Sequence, residues 1–381
     1  MINQYRIELD KINSYNYAKH HILYNYQSDN IEQIAANNCG LHAARLSTPY
    51  VTLFSRMNNY NTNLLWDRLY DAKQLIKIRC MRKTLHILPF DVAPIAHKAT
   101  LSLRLSGVLL KYKQLSASPS VIENIKKNIT EFIAIKQNSS ENIIKQILSL
   151  NLSHDKELIK IAIKDLWENG VICYVNTNKN WGQESRLYAL TRKYYPSLDL
   201  DSLDEISATQ QLIFKYISAF GPVTFKDICW WTGLSSKKIK DAIEYYEDEI
   251  ILVKVADFSH DFYMTVEDVE KFEKFENSNS EWLALLAYED PALKGYHESR
   301  FRYVESKYYN FLFNQIGEVR ASILLNGVIV GIWNWDKTKK YIQYKTFDNV
   351  SKHTHIKIKK EVEKLEKCFN NGGIQTRLYF V

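Results

Sequence analysis

The clearest pattern along the chain is a set of apolar stripes at three- and four-residue spacing that comes in threes. In 120–136 the stripe is Val121, Ile125, Ile129, Phe132 and Ile133. A second amphipathic stretch covers 140–150, and a third, 155–169, carries Leu158, Ile161, Ala162 and Leu166 on one face. Such spacing predicts helices. Gly170 follows in the C′ position that glycine favours. The period then changes. Residues 171–175 and 186–190 are short apolar and aromatic runs around a loop of turn formers at 177–182, which predicts a β-hairpin. Three helices followed by a hairpin is the order of a winged helix, an elaborated helix-turn-helix.

The same order reads twice more. Upstream, helices are expected at 31–38, 48–58 and 62–72, strands at 75–79 and 84–88 about a turn at Arg82-Lys83, and a further helix beyond. Downstream, the acidic, proline-containing stretch 196–205 reads as a linker. Helices follow at 207–220, 224–232 and 237–246, with strands at 250–256 and 262–264. Three such units make a diverged structural repeat. From about residue 277 the character shifts to strands: 319–325, 328–333, 341–347 and 376–381. Asn326-Gly327 gives a strong two-residue hairpin signal between the first two. One helix, 354–369, carries an apolar stripe at 358, 362, 365 and 369. A small β-barrel or curved sheet with one helix fits this composition. The Tyr-rich residues 1–27 contain a short helix expected to pack as an extension on a later domain. The expected division is therefore 1–105 (extension and first winged helix), 106–198, 199–276 and 277–381.

Composition changes this picture little. The chain has 381 residues, 46% hydrophobic and 24% charged, and carries a formal net charge of +7. That charge is compatible with a polyanionic partner without requiring one. Only 12 Gly and 7 Pro are present, so long flexible linkers are not expected. The five cysteines are scattered with no Cys-x-x-Cys pair, so neither a zinc ribbon nor a disulfide framework is indicated, and the pattern fits a reducing compartment. No apolar run approaches the ~18 residues of a membrane span, and no signal pattern opens the chain. A cytoplasmic location follows by default.

Candidate chemistry centres on Gly40-Leu41-His42-Ala43-Ala44-Arg45, read as a tight connection between two helices. Gly40 can take positive φ there, and Thr48 and Pro49 have the chemistry of the next helix start. A lone histidine at such a junction is more often a surface or capping residue. Arg45 can contact a phosphate or pair with a helix-end carboxylate. Thr84 and His86 both alternate with Leu85 on the predicted strand, so both can line a cleft beside Arg82, or simply cover an exposed face. Trp181, on the second hairpin loop near Lys179 and Arg186, can lie along a nucleic-acid groove. Of the adjacent Trp230 and Trp231, one is expected in the core while the other reaches DNA or a neighbouring domain. Asp290, before Pro291, is either a turn former or a DNA-facing carboxylate. His353-x-His355 has possible metal spacing on an expected strand, but no third ligand accompanies it, so no metal site is assigned.

An ordered set of landmarks resembles one family. These are Cys39-Gly40-Leu41-His42-Ala43-Ala44-Arg45 with 48–56 beyond it, and Met81-Arg82-Lys83-Thr84-Leu85-His86. Phe220-Gly221-Pro222-Val223-Thr224 follows, with Trp231-Thr232-Gly233-Leu234-Ser235, and then 285–291 with 327–333. Together they resemble the AlkZ/YcaQ-like tandem winged-helix DNA glycosylases. The resemblance implies an α+β chain of three tandem winged-helix units and a C-terminal β-barrel carrying one helix, closed as a C-shaped clamp around double-stranded DNA. It implies a monomer that cleaves the N-glycosidic bond of alkylated or bulky-adduct bases without metal or cofactor. The family's catalytic motif is Gln-x-Gln or Gln-x-Asp directly after Gly-Leu. Here those positions are His42 and Ala44, so one polar group is replaced by imidazole and the other is lost.

Hydrolysis of such a bond passes through an oxocarbenium-like state. Two polar side chains can hold one water against it; with Ala44 only His42 remains. A neutral imidazole, with an ordinary pKa near ~6.5, can accept the water's proton. His42 is the expected catalytic residue, and Arg45, Arg82, Thr84, His86, Trp181 and Arg186 are the expected DNA contacts. The alternative is a non-catalytic DNA-binding protein or regulator on the same scaffold.

Overall fold

The computed structural model describes residues 6–153, 155–180, 182–277, 281–336 and 338–371. The fold is α+β, and three helix–helix–helix–hairpin stretches follow one another along it. Strands are numbered in chain order: β1 Arg6–Ile7, β2 Leu41–His42, β3 Leu75–Arg79, β4 Leu85–Pro89, β5 Ile172–Asn176, β6 Arg186–Leu190, β7 Ile250–Val255, β8 Phe262–Thr265, β9 Leu283–Leu286, β10 Ser322–Leu325, β11 Val328–Asp336 and β12 Tyr341–Thr346.

The middle stretch follows the sequence reading closely. Its helices are Pro119–Ile135, Ser140–Ser149 and Lys156–Glu168, started by Ser118, Ser139 and Asp155, whose side chains each accept from a first-turn backbone N–H. The buried face joins Ile125, Ile129, Ile133, Ile143, Ile147, Leu158 and Ile159 into one cluster with Ile172 and Leu190 of the β5–β6 hairpin. The third stretch has helices Glu205–Phe220, Phe225–Thr232 and Ser236–Tyr245. Thr224 and Asp227 form a reciprocal capping box, and Gly233 closes the second helix at φ 73°.

The first stretch departs from expectation at the point that matters most. Gly40 does take positive φ, 104°, after the helix Ile31–Asn37. The chain then runs into β2, with Leu41 opposite Ile87 and His42 opposite His86, in the three-stranded order β2-β4-β3. The predicted helix–helix connection is thus an added strand. Two residues are too few to carry a period-2 signal, and their pairing partners lie 44 and 46 residues on. The 22-residue helix Ala93–Gln114 runs from this stretch into the next: Ala96 and Ala99 belong to one core, Val108 and Tyr112 to the other.

The expected C-terminal barrel is an open sheet among the described residues, antiparallel in the order β12-β11-β10-β9. Four strands are about half the number that closes a small barrel. The sheet buries one face under the helix Lys352–Asn371 instead, through Trp333, Trp335, Ile358, Val362, Leu365 and Phe369. Trp335 stacks on Phe369 at 4.7 Å. Asn326 and Gly327 join β10 to β11 at φ 48° and 89°, the two positive values a type I′ turn requires. The strand expected at 376–381 lies outside the described residues. His353 and His355 sit on the helix, not on a strand, and no group of three or more candidate metal ligands exists among the described residues.

The N-terminal helix Leu9–Lys19 is buried along most of its length and ties the ends of the chain together. The Tyr15 hydroxyl donates to Asp268 at 2.8 Å, and Asn13 Nδ2 donates to the Arg302 carbonyl at 2.6 Å. β1 adds to β7 in parallel, extending the β7–β8 hairpin. No helix among the described residues is long and apolar enough to cross a membrane.

Candidate functional site

β2 carries His42 against β4, and the two imidazoles of His42 and His86 meet edge to face, 5.3 Å apart and perpendicular. Gly40 is what lets this strand lie so close. A Cβ on it would stand 2.6 Å from the Leu88 side chain, and its φ disfavours any other residue. His86 is anchored: its Nδ1 lies 3.3 Å from the Thr84 carbonyl and 3.4 Å from Cys80 Sγ. His42 is not. Its side chain is 5% exposed, yet neither Nδ1 nor Nε2 has a hydrogen-bond partner. Buried polar atoms are normally paired, so an unpaired imidazole of this kind asks for an explanation. Burial first, then the charges of His86, Lys294, Arg82 and Arg45, hold its pKa well below the ordinary 6.5. At neutral pH it is a neutral imidazole, able to accept a hydrogen bond.

The carboxylate facing it comes from the other end of the chain. Glu289 follows β9 at φ 58°, an uncommon conformation for a non-glycine residue, and its Oε2 lies 3.9 Å from His42 Nε2. Oε1 accepts from the Val319 backbone N–H at 2.7 Å, and Oε2 pairs with Lys294 Nζ at 2.6 Å. Burial raises the Glu289 pKa against the pull of Lys294, and burial lowers the Lys294 pKa against the pull of Glu289. The neighbouring Asp290 is wholly buried and grips Arg56 with both oxygens, at 2.7 and 3.0 Å, while capping the short helix Pro291–Lys294. Asp290 is therefore the structural half of the Glu289-Asp290 pair. It fixes the loop on which Glu289 stands.

A second cluster adjoins this one. Arg82, at φ 51° in the turn between β3 and β4, places its guanidinium over Trp230, 3.5 Å from the ring centroid. Arg300 covers the same ring at 5.0 Å and Lys294 at 5.7 Å, and the ring also packs on His297 at 4.6 Å. Trp231 points the other way and stacks on Tyr216 in the core. Beyond these residues opens a groove of about 1540 Å³. Its walls include Arg45, Tyr288, Trp230, Arg300, Gly317 and Glu318, with Trp333 and Tyr344 further along. His42 and Glu289 are not among the lining residues; Tyr288, next to Glu289 in the chain, is.

Of the residues singled out from sequence, His42, His86, Arg82 and Arg45 come together. Arg45 donates to the Tyr288 hydroxyl at 3.0 Å, its guanidinium 3.9 Å from that ring, and it lies 3.9 Å from Glu318. Thr84 turns its hydroxyl back onto the Met81 carbonyl at 3.0 Å and braces the Arg82 turn. Arg186 stands apart, on β6, paired with Glu184 at 2.5 Å and lying over Tyr174 at 5.1 Å. Trp181 lies outside the described residues. Sequence reasoning missed Glu289, Lys294 and Arg300. The available signal was two acidic residues in a row before Pro291, of which the second, Asp290, has the stronger turn chemistry.

A buried histidine and a carboxylate next to a cationic, aromatic groove can polarise water beside a stacked base, which suits bond cleavage on a nucleic acid. Comparison with known proteins agrees. The model of the family described as "DNA glycosylase AlkZ-like" matches residues 36–368. The solved structure of the Streptomyces sahachiroi DNA glycosylase AlkZ has the same fold. Its TM-score is 0.78 at 15% identity, over 97% of this chain and 98% of that one. No curated protein matches the sequence. With the family model covering most of its length, this chain belongs to the AlkZ-like DNA glycosylases, DNA-binding repair enzymes that hydrolyse N-glycosyl bonds.

Proposed function

We propose that the chain removes alkylated or bulky-adduct bases from double-stranded DNA as a monofunctional glycosylase, with His42 orienting the attacking water. The carrying observation is the buried, neutral His42 with both ring nitrogens unpartnered, facing Glu289, whose chain neighbour Tyr288 lines the groove. An N7-alkylated purine is cationic and already a good leaving group. The enzyme then needs a held water and little acid catalysis of base departure. A neutral imidazole supplies the acceptor without adding positive charge next to a sugar that is becoming cationic. The groove's volume and aromatic walls suit an adduct larger than a methyl group.

In the same reading the three helix–hairpin stretches are winged helices with bounds near 1–105, 106–198 and 199–276. With 277–381 they form a clamp around the duplex. Arg45 and Arg82 meet phosphates at the groove, and His86 and Thr84 back them. Arg186 on the second hairpin tracks the backbone further out, and Trp181 is kept from the sequence as a further DNA contact. The protein acts as a cytosolic monomer, and the chemistry calls for no metal or cofactor.

The test is incubation of wild type and His42→Ala with duplexes carrying N7-methylguanine or a bulky purine adduct, followed by mild base to cut abasic sites. Wild type is expected to yield product, and His42→Ala to slow it about 10²-fold or more at unchanged duplex affinity. An undiminished rate in His42→Ala removes His42 from the mechanism. No product with any lesion overturns the substrate assignment.

A further inference from the structure

The loss of a second polar side chain at Ala44 leaves a gap that the tertiary structure fills from elsewhere. We propose that Glu289 is the second water-holding group of this site and the final acceptor of the water's proton, with Lys294 keeping it in place. The inference rests on the reading of His42 given above and extends it to a residue 247 positions away in the chain.

The geometry is specific. His42 Nε2 and Glu289 Oε2 are 3.9 Å apart, too far for a hydrogen bond and too close for a water on the line between them. A water set to one side, about 2.8 Å from each, would see the two atoms at roughly 90°, close enough to the H–O–H angle for one hydrogen to go to each. That arrangement spends both hydrogens of the water on the protein and leaves its lone pairs free to face outward. Glu289 is locked for the task. Oε1 is held by the Val319 N–H, Oε2 is held by Lys294, and Lys294 itself leans on the Gly317 carbonyl at 3.4 Å. Tyr288, Gly317 and Glu318, which neighbour Glu289 and Val319 in the chain, line the groove. The uncommon φ of 58° at Glu289 is borne by a loop that the buried Arg56–Asp290 pair clamps. Strain held by so rigid a mount is the kind found at functional positions.

The charges fit the role. The groups around Glu289 are His42, Arg82, Tyr288, Lys294 and Glu318. Among them the carboxylate in contact with His42 is that of Glu289, so it supplies the negative charge that a sugar cation needs, in surroundings otherwise rich in cations. In the step itself, a water lone pair forms the C1′–O bond as the C1′–N bond breaks, and the bonding pair leaves with the base and neutralises its positive charge. The water's proton passes to Glu289 Oε2, leaving a neutral base, a 1′-hydroxyl sugar and one proton for release to solvent. A carboxyl raised by burial is a better base than a free one.

The experiment compares single-turnover release of N7-methylguanine from duplex DNA by the full chain as wild type, His42→Ala, Glu289→Gln and the double variant Glu289→Gln/Lys294→Met, with duplex affinity measured alongside. The double variant matters because Glu289→Gln alone strands a buried ammonium, which can damage the fold. The expected result is a loss of about 10²–10⁴-fold in both Glu289 variants with duplex affinity kept. A fall in rate is expected of wild type on the acid side, and it should vanish from the residual activity of these variants. Three results would overturn the proposal. If Glu289→Gln stays within about two-fold of wild type while His42→Ala is inactive, Glu289 falls and His42 stands. If Lys294→Met restores the rate of Glu289→Gln, the pair is structural. If wild type releases no base, both readings fall together.

Discussion

Between residues 119 and 190 the buried side chains are mainly aliphatic, Ile125, Ile129, Ile133, Ile143, Ile147 and Ile159 among them. Around His42 they are polar and charged: Arg56, His86, Glu289, Asp290, Lys294 and Arg300. The helices of the middle unit draw their cluster from residues 108–190, while Cys173, Val175 and Ala189 of its hairpin join the main core. The site is held by pairs distant in sequence, with Arg56 and Asp290 separated by 234 positions. Each buried isoleucine contributes about 1.5–3 kcal/mol by leaving water, wherever its neighbours come from. A buried ion pair contributes little net stability but costs a great deal when one partner is removed, so it fixes position more than it adds stability. The middle unit is thus built for local folding, and the site region for placement.

The contrast can be broken most forcefully at Arg56. Arg56→Met leaves Asp290 buried without its partner and should cost about 3–5 kcal/mol. Amide exchange should quicken in β2, β4, β9 and the 289–294 loop while the middle helices stay protected. Equal loosening of both regions would show that they unfold as one. The converse is Ile129→Ala, at a fully buried position, with an expected cost of about 2–5 kcal/mol. Exchange should then quicken in Pro119–Glu168, and the rate of base release should hold. A matching fall in catalysis would tie the two regions together.

Acidity should separate them more gently. Burial, first among the causes, lowers the pKa of His20, His42 and His86, the last to about 4. Unfolded histidines titrate near ~6.5 and so take up protons first as the pH falls. Stability is fully present above that value and is lost below it, down toward each folded pKa, by about 1.4 kcal/mol per histidine per pH unit. Among the described residues the helices Pro119–Glu168 hold no buried histidine, and His97, whose pKa burial lowers to about 3, is joined through Arg104 to Glu168 at the edge of that unit. Thermal unfolding followed between pH 7 and pH 5 should therefore weaken the site region while the middle unit changes little. Parallel loss in both would contradict the assignment of that acid sensitivity to buried histidines.

The same difference governs how much of the molecule was legible in advance. Apolar spacing placed the middle helices within a residue or two, and Arg186–Leu190 coincides with the predicted strand. Asn326-Gly327 set the β10–β11 turn because only residues that tolerate positive φ can make it. β2 was missed because two residues show no period. The residues left barrel and curved sheet open and the resemblance implied a barrel; the helix buries one face of an open four-stranded sheet instead. Of the site, the landmark at Gly40–Arg45 identified His42 and Arg45, and the one at 81–86 identified Arg82 and His86. Glu289 carries no local sign of function. A glutamate before Asp-Pro reads as turn chemistry.

By itself, then, the sequence determined the elements that its local periodicities and turn residues dictate, the family to which they belong, and half of the candidate site. Tertiary structure decided the other half. It set Glu289 and Lys294 against His42 and buried the imidazole without a partner. It also turned Trp230 toward Arg82 while Trp231 entered the core. The reason is physical. Hydrophobic periodicity is written in neighbouring residues, whereas the pairing of buried charges depends on which distant loops the packed cores bring within a few ångströms of each other.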